Sequence, residues 1–274
     1  MSLLRRSSLL VLIAALALSV VGVPVTSASG STRELSTATA AVADVTAAEQ
    51  LVVGLINDRR HRKGLRSLRV DSRLGSIARA RSEDMVDRDY FSHEDPDGKY
   101  ARNFLERARI KYSRMSEIIA WDRGTDLLAE AEHAVAMWMD SSVHRHEILS
   151  TTHNYLGAGV ATDGRTIKWT VISITGPDRT DPVAKITSVA LTGNSASVRW
   201  SGYDPRLAVG TAGLRDYDLA RRHPGGSWAT VRDDTTRTST TWPAHSGTEF
   251  RVRARDKAGN VGPWSAPLTA APTP

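Results

Sequence analysis

At Gly176-Pro177 the hydrophobic rhythm of this chain changes, and the change divides it into two separately built cores. Before that point apolar residues recur at helical spacing. Leu51, Leu55 and Ile56 mark one face of a first helix, with Gly64 in the turn that follows. Asp71 is placed to cap a second helix carrying Leu74, Ile77, Ala78 and Met85. A third helix, starting at Thr125 or Asp126, turns Ala131, Val135 and Trp138 inward. Two strands, 155–161 and 166–174, then join through Asp163-Gly164, a strong hairpin signal between apolar runs. After Asp181-Pro182 the period falls to two. Ala196, Val198 and Trp200 alternate with Ser197 and Arg199, Tyr217 and Leu219 follow, and Pro224-Gly-Gly226 turns the chain before Trp228. Short strands between turns predict an all-β sandwich. The expected division is a helical and stranded domain over 46–177, a linker over 178–183, the sandwich over 184–268 and a disordered tail over 269–274. From Ala266 onward the chain is too polar and Pro-rich to add an element.

The N-terminus reads as an address. Arg5 and Arg6 precede an apolar run from Leu9 to Val21, and Thr26-Ser-Ala28 offers the small residues that a signal peptidase reads. Residues 1–28 are therefore expected to be a signal peptide and 29–45, rich in Ser, Thr and Ala, a flexible leader. The apolar run is short for a bilayer, so the expected product is secreted, extracellular or loosely envelope-associated, with no mature membrane span. Nucleic acid is not an expected partner of an exported chain. Cysteine is absent, which excludes both a disulfide framework and a lipidated cysteine. From Asp181 onward twelve Lys and Arg stand against eight Asp and Glu. The basic excess thus lies in the C-terminal part, where it would suit an anionic envelope polymer or serve as a solubilising surface.

Three segments carry the chemistry: Phe91-Ser-His-Glu-Asp-Pro-Asp-Gly98, Ser116-Glu117-Ile-Ile, and Trp138-Met-Asp-Ser-Ser-Val-His-Arg145. In order and spacing they resemble blocks of the bacterial CAP superfamily (SCP-like; cysteine-rich secretory, antigen 5 and pathogenesis-related proteins), over roughly Ala47 to Thr175. The resemblance implies an α-β-α sandwich with a ligand-binding cleft lined by His93, Glu117 and His144. Ser141 stands where many members have a second glutamate. Glu147, three residues after His144, is the candidate to resupply that carboxylate, and otherwise faces solvent beside Arg145. Ser116 and Ile118 replace the family's glycine and asparagine around Glu117. His93 and His144 could hold a zinc-like divalent metal, with Glu117 as a catalytic base toward bound water. Pro96-Asp97-Gly98 reads as a turn that positions His93. Ser141 and His144 also have the spacing of a hydroxyl and a base, but no third group orients them.

The segment Glu249-Phe-Arg-Val-Arg-Ala-Arg-Asp-Lys-Ala-Gly-Asn260, with Gly262-Pro-Trp-Ser265, resembles the last strands of a fibronectin type III domain. Period two buries Phe250, Val252 and Ala254 there and lines up Arg251, Arg253 and Arg255 on the other face. That ladder is either a contact for anionic polymer or a stack on Trp264 and its neighbours. The fold class expected is α+β, a CAP-type sandwich followed by an all-β fibronectin type III-like sandwich. Three functions stay open: a cleft that binds a small molecule, lipid or peptide, with or without a metal, beside an adaptor module; a metal-assisted hydrolase; and an adhesion protein with a vestigial cleft.

Overall fold

The computed structural model describes residues 29–271, with side chains from residue 43 onward, so the signal-peptide reading lies outside the described residues. The chain divides at Ala41/Val42, and the larger unit, Val42–Pro274, holds everything that follows. Helix α1 is assigned from Ser29 to His61, so the backbone of the stretch read as a flexible leader is helical. Its alanines favour helix even where there is little to bury.

The first part runs β1 (Arg69–Val70), α2 (Ser72–Asp87), α3 (Ala101–Arg107), β2 (Arg114–Arg123), α4 (Leu127–Asp140), α5 (Ser142–Ile148), β3 (Tyr155–Thr162) and β4 (Thr166–Thr175). Local chemistry sets the helix starts. Asp71 accepts from the Arg73 amide at 3.1 Å, and Asp126 accepts from those of Leu128 and Ala129 at 3.0 and 3.1 Å. The sheet order is β1-β3-β4-β2, with only β1 and β3 parallel. One face packs α1, α4 and α5 through Val52, Ile56, Val135, Trp138 and Ile148. The other packs α2 and α3 through Leu74, Ala78 and Leu105. Helix α2 lies unusually close to β3. A Cβ built on Gly157 would sit 2.1 Å from the Gly75 amide nitrogen, and one on Gly159 2.0 Å from that of Arg79.

The second part holds β5 (Val183–Thr192), β6 (Ser195–Tyr203), β7 (Leu214–Arg222), β8 (Ala229–Thr235), β9 (Ser239–Pro243), β10 (Glu249–Asp256) and β11 (Leu268–Thr269). Sheets β11-β10-β7-β8 and β5-β6-β9 enclose one core, with Ala196, Val198, Phe250, Val252 and Ala254 fully buried. The tail departs from expectation. Leu268 and Thr269 pair with Phe250 and Glu249, and the Ala270 amide donates to Thr248 O at 2.7 Å. A Pro-rich segment can still add an edge strand, because few of its amides are needed for pairing.

The junction is built rather than left loose. Asn154, fully buried, donates to Gly176 O and Val209 O at 2.8 and 3.0 Å and accepts from the Gly176 amide at 2.8 Å. Arg179 pairs with Asp71 at 2.5 Å and stacks over Tyr155, and Leu207 from beyond β6 packs into the α2–α3 core.

Candidate binding cleft

Strand β2 is an edge strand, paired with β4 from Arg114↔Thr175 to Arg123↔Thr166, and alternation along it decides what faces the cleft. Ile118 points into the core shared with Trp138, whose indole N–H donates to Ile119 O at 2.9 Å. Glu117 points the other way, toward α2. There Arg81, 1% exposed at its side chain, donates from Nε to Glu117 Oε1 at 3.1 Å. Glu117 Oε2 lies 2.8 Å from His93 Nδ1. The same guanidinium donates to Tyr90 Oη, Ser92 O and His93 O at 2.9, 3.2 and 2.9 Å. Tyr90 in turn donates to Asp84 Oδ2 at 2.6 Å, and burial followed by that bond raises its phenol well above the ordinary value. Arg81 therefore ties the His93 loop, the glutamate and α2 at one point.

The loop carrying His93 has its own framework. Asp95, buried, accepts from the amides of Asp97 and Lys99 at 2.9 and 2.8 Å, and Gly98 takes φ +76°. Pro96-Asp97-Gly98 is thus a turn wrapped on a carboxylate. Beside it opens a cleft of about 550 Å³, lined by His93, Tyr100, Arg102, Tyr112, Arg114 and Glu117 among others.

His144 sits half-buried on α5, a helix anchored by Arg60, which donates to Ile148 O and Ser150 O at 2.8 and 2.7 Å. Burial, and then the nearby His93, lower the pKa of His144, so its imidazole stays neutral more readily than a free one. Ser141 is the residue between α4 and α5 and makes no side-chain capping bond. Glu147 lies 3.5 Å from Nε2 of the buried His153, so the nearest imidazole paired with it is not His144. The ladder arginines find partners inside the C-terminal part. Arg251 lies between Trp228 and Trp264 at 4.2 and 4.6 Å, and Arg253 stacks on Trp264 and donates to Asp218 at 2.9 Å. Arg255 meets Asp216, Asp218 and Asp234.

Sequence reasoning missed Arg81, the hub of the site. Its only signal was a charged residue three positions after Ala78 on an otherwise apolar helix face. It also left His133 as background, although His133 pairs with Asp122 and lies 3.7 Å from Glu130.

His144 and His153 give the fold a pH response. Both pKa values lie below the ordinary 6.5, with burial the first cause in each and Glu147 partly opposing it at His153. The unfolded chain therefore binds more protons below about pH 6.5, and stability present above that pH is lost as pH falls through the lower folded values. His133, raised by Asp122, works in the opposite sense, but it is exposed and its contribution is screened. The melting temperature should fall from pH 7 to pH 5, and less steeply in His153→Gln. A profile that rises toward pH 5 would contradict this.

Residues 53–173 match the family model described as CAP: Cysteine-rich secretory protein family. The chain is 34% identical over 137 residues to the uncharacterized protein YkwD of Bacillus subtilis (strain 168), covering 50% of this chain and 51% of that one. It is 30% identical over 115 residues to the uncharacterized membrane protein YlbC of the same organism, covering 42% and 32%. The chain thus spans about half of the length of the first relative and about a third of the second. A crystal structure of an extracellular SCP-domain protein from Bacillus anthracis str. Ames superposes at TM-score 0.42 and 28% identity, over 47% of this chain and 40% of that one. Among the described residues, no helix is long and apolar enough to cross a membrane.

Proposed function

We propose that this is an exported binding protein. Its CAP cleft captures a polar or partly anionic small molecule, lipid headgroup or peptide, and its C-terminal part is a fibronectin type III-like adaptor at the cell envelope. One observation carries the binding reading over the hydrolytic one. Both oxygens of Glu117 are engaged, Oε1 by the buried Arg81 and Oε2 by His93 Nδ1. A carboxylate so held between a buried guanidinium and a ring nitrogen serves to orient the imidazole. Tyr112, Arg102 and Arg114 in the cleft wall offer hydroxyl and guanidinium donors for a ligand that accepts hydrogen bonds.

A zinc-like ion in this cleft would be held by His93 and His144. With Nδ1 directed at Glu117, His93 Nε2 is left for a ligand, and His144 is disposed to the neutral form that binds metal. Such an ion would supply a Lewis-acidic anchor for a ligand oxygen. Zinc should raise the melting temperature of the full chain at pH 7.5, the gain fading toward pH 5.5 as the imidazoles take protons. His93→Ala should abolish the gain, and Glu117→Gln should weaken zinc affinity by about 10–100-fold by loosening the ring that it orients. If a screen of peptides, esters and envelope glycans found turnover lost in Glu117→Gln with zinc affinity intact, the hydrolase reading would replace this one.

A further inference from the structure

A second site lies away from the cleft, where the linker meets the ends of β6 and β10. Asp178, Asp204 and Asp256 each place a carboxylate oxygen within 4.8 Å of the others, and they are only 7, 8 and 0% exposed. Every hydrogen bond that they accept comes from a neutral group. Asp178 takes the amides of Thr180 and Ala212 at 2.9 and 2.8 Å and the Thr180 hydroxyl. Asp204 Oδ2 takes the Gly213 amide at 2.7 Å. Asp256 takes the Asn260 amide and side-chain amide at 2.8 and 2.6 Å, and the latter also reaches Asp178 O at 3.1 Å. No ion pair within 4.0 Å reaches any of the three among the described residues.

Asp204 Oδ1 is buried and has no hydrogen-bond partner. A buried carboxylate oxygen without a donor is costly, and two further carboxylates beside it multiply the cost unless a proton or a cation joins them. Burial raises the Asp204 pKa, the Gly213 amide opposes it, and the neighbouring Asp178 and Asp256 add to the rise, with Arg69 again opposing. The neighbouring amides orient the oxygens without neutralising them, as in sites that hold a cation.

We propose that Asp178, Asp204 and Asp256 bind a calcium ion. All the donors are oxygens, which selects a hard cation over zinc. They come from the linker, the end of β6 and the end of β10, an irregular set that suits calcium's flexible coordination better than magnesium's octahedron. The ion would fasten the linker to both sheets of the C-terminal part.

The test is calorimetric titration of the chelator-treated full chain with calcium chloride, alongside thermal melts. About one calcium per chain should bind, and a saturating concentration should raise the melting temperature by about 5 °C or more, with a much smaller effect from magnesium. Asp204→Asn should lose both responses, yet melt in chelator no lower than the parent, because it removes a like charge. His93→Ala should keep the calcium response, which separates this site from the cleft. A parent chain that takes up no calcium at millimolar concentration overturns the proposal, as does an Asp204→Asn chain that folds and binds undiminished. Should Asp204→Asn fail to fold, Asp178→Asn replaces it in the same two measurements under the same criteria.

Discussion

Replacing Arg81 by Met should cost about 3–5 kcal/mol in urea unfolding, the usual penalty for removing one partner of a buried pair. The guanidinium is 1% exposed and Glu117 6%, so the carboxylate would be left buried with only His93 against it. Tyr90 and the carbonyls of Ser92 and His93 would lose a donor at the same time. The double variant Arg81→Met, Glu117→Gln should recover part of the loss, since it removes the stranded charge as well. A single-variant cost below about 1 kcal/mol would mean that the pair is solvated in practice and that the His93 loop is held by something else. Zinc affinity should fall with Arg81→Met too, because Glu117 would no longer be fixed under the imidazole.

Gly159→Ala is expected to be at least as damaging as a typical overpacked core, about 3 kcal/mol or more. The added methyl would meet the backbone of Ala78 and Arg79, which cannot swing aside as a long side chain can. The close approach also carries polar contacts: Ser82 Oγ donates to Gly159 O at 3.2 Å and lies 2.9 Å from Thr170 Oγ1, both fully buried. Pushing α2 off the sheet would draw Arg81 away from Glu117, so the variant should lose zinc response along with stability. If it melts within about 2 °C of the parent, α2 has room that this geometry does not allow.

Much of this arrangement could be read from the residues, and the parts that could not share a cause. Asp126 and Asp71 announced their helices because capping is local, and Asp163-Gly164 announced β3 and β4 because a tight turn is local. The alternation from Ser195 to Tyr203 and from Glu249 to Asp256 appears as read, with apolar side chains inward. Strand β2 went unassigned because Glu117, Trp121 and Asp122 break its pattern. Each of those positions answers to something distant in sequence, such as Arg81 for Glu117 and His133 for Asp122. Arg81 and Asp204 were invisible for the same reason. A buried charge looks like a surface charge until the fold supplies its neighbours.

The knot of bonds around Asn154 has a consequence for orientation. Because that one amide grips both the end of β4 and the loop beyond β6, the mouth of the cleft cannot swivel freely over the C-terminal sheets as a bead does on a string. Wherever those sheets come to rest, the bearing of the opening is set by the chain itself. Inserting a few residues between Gly176 and Val183 would then change the direction in which the cleft faces, and not merely its reach.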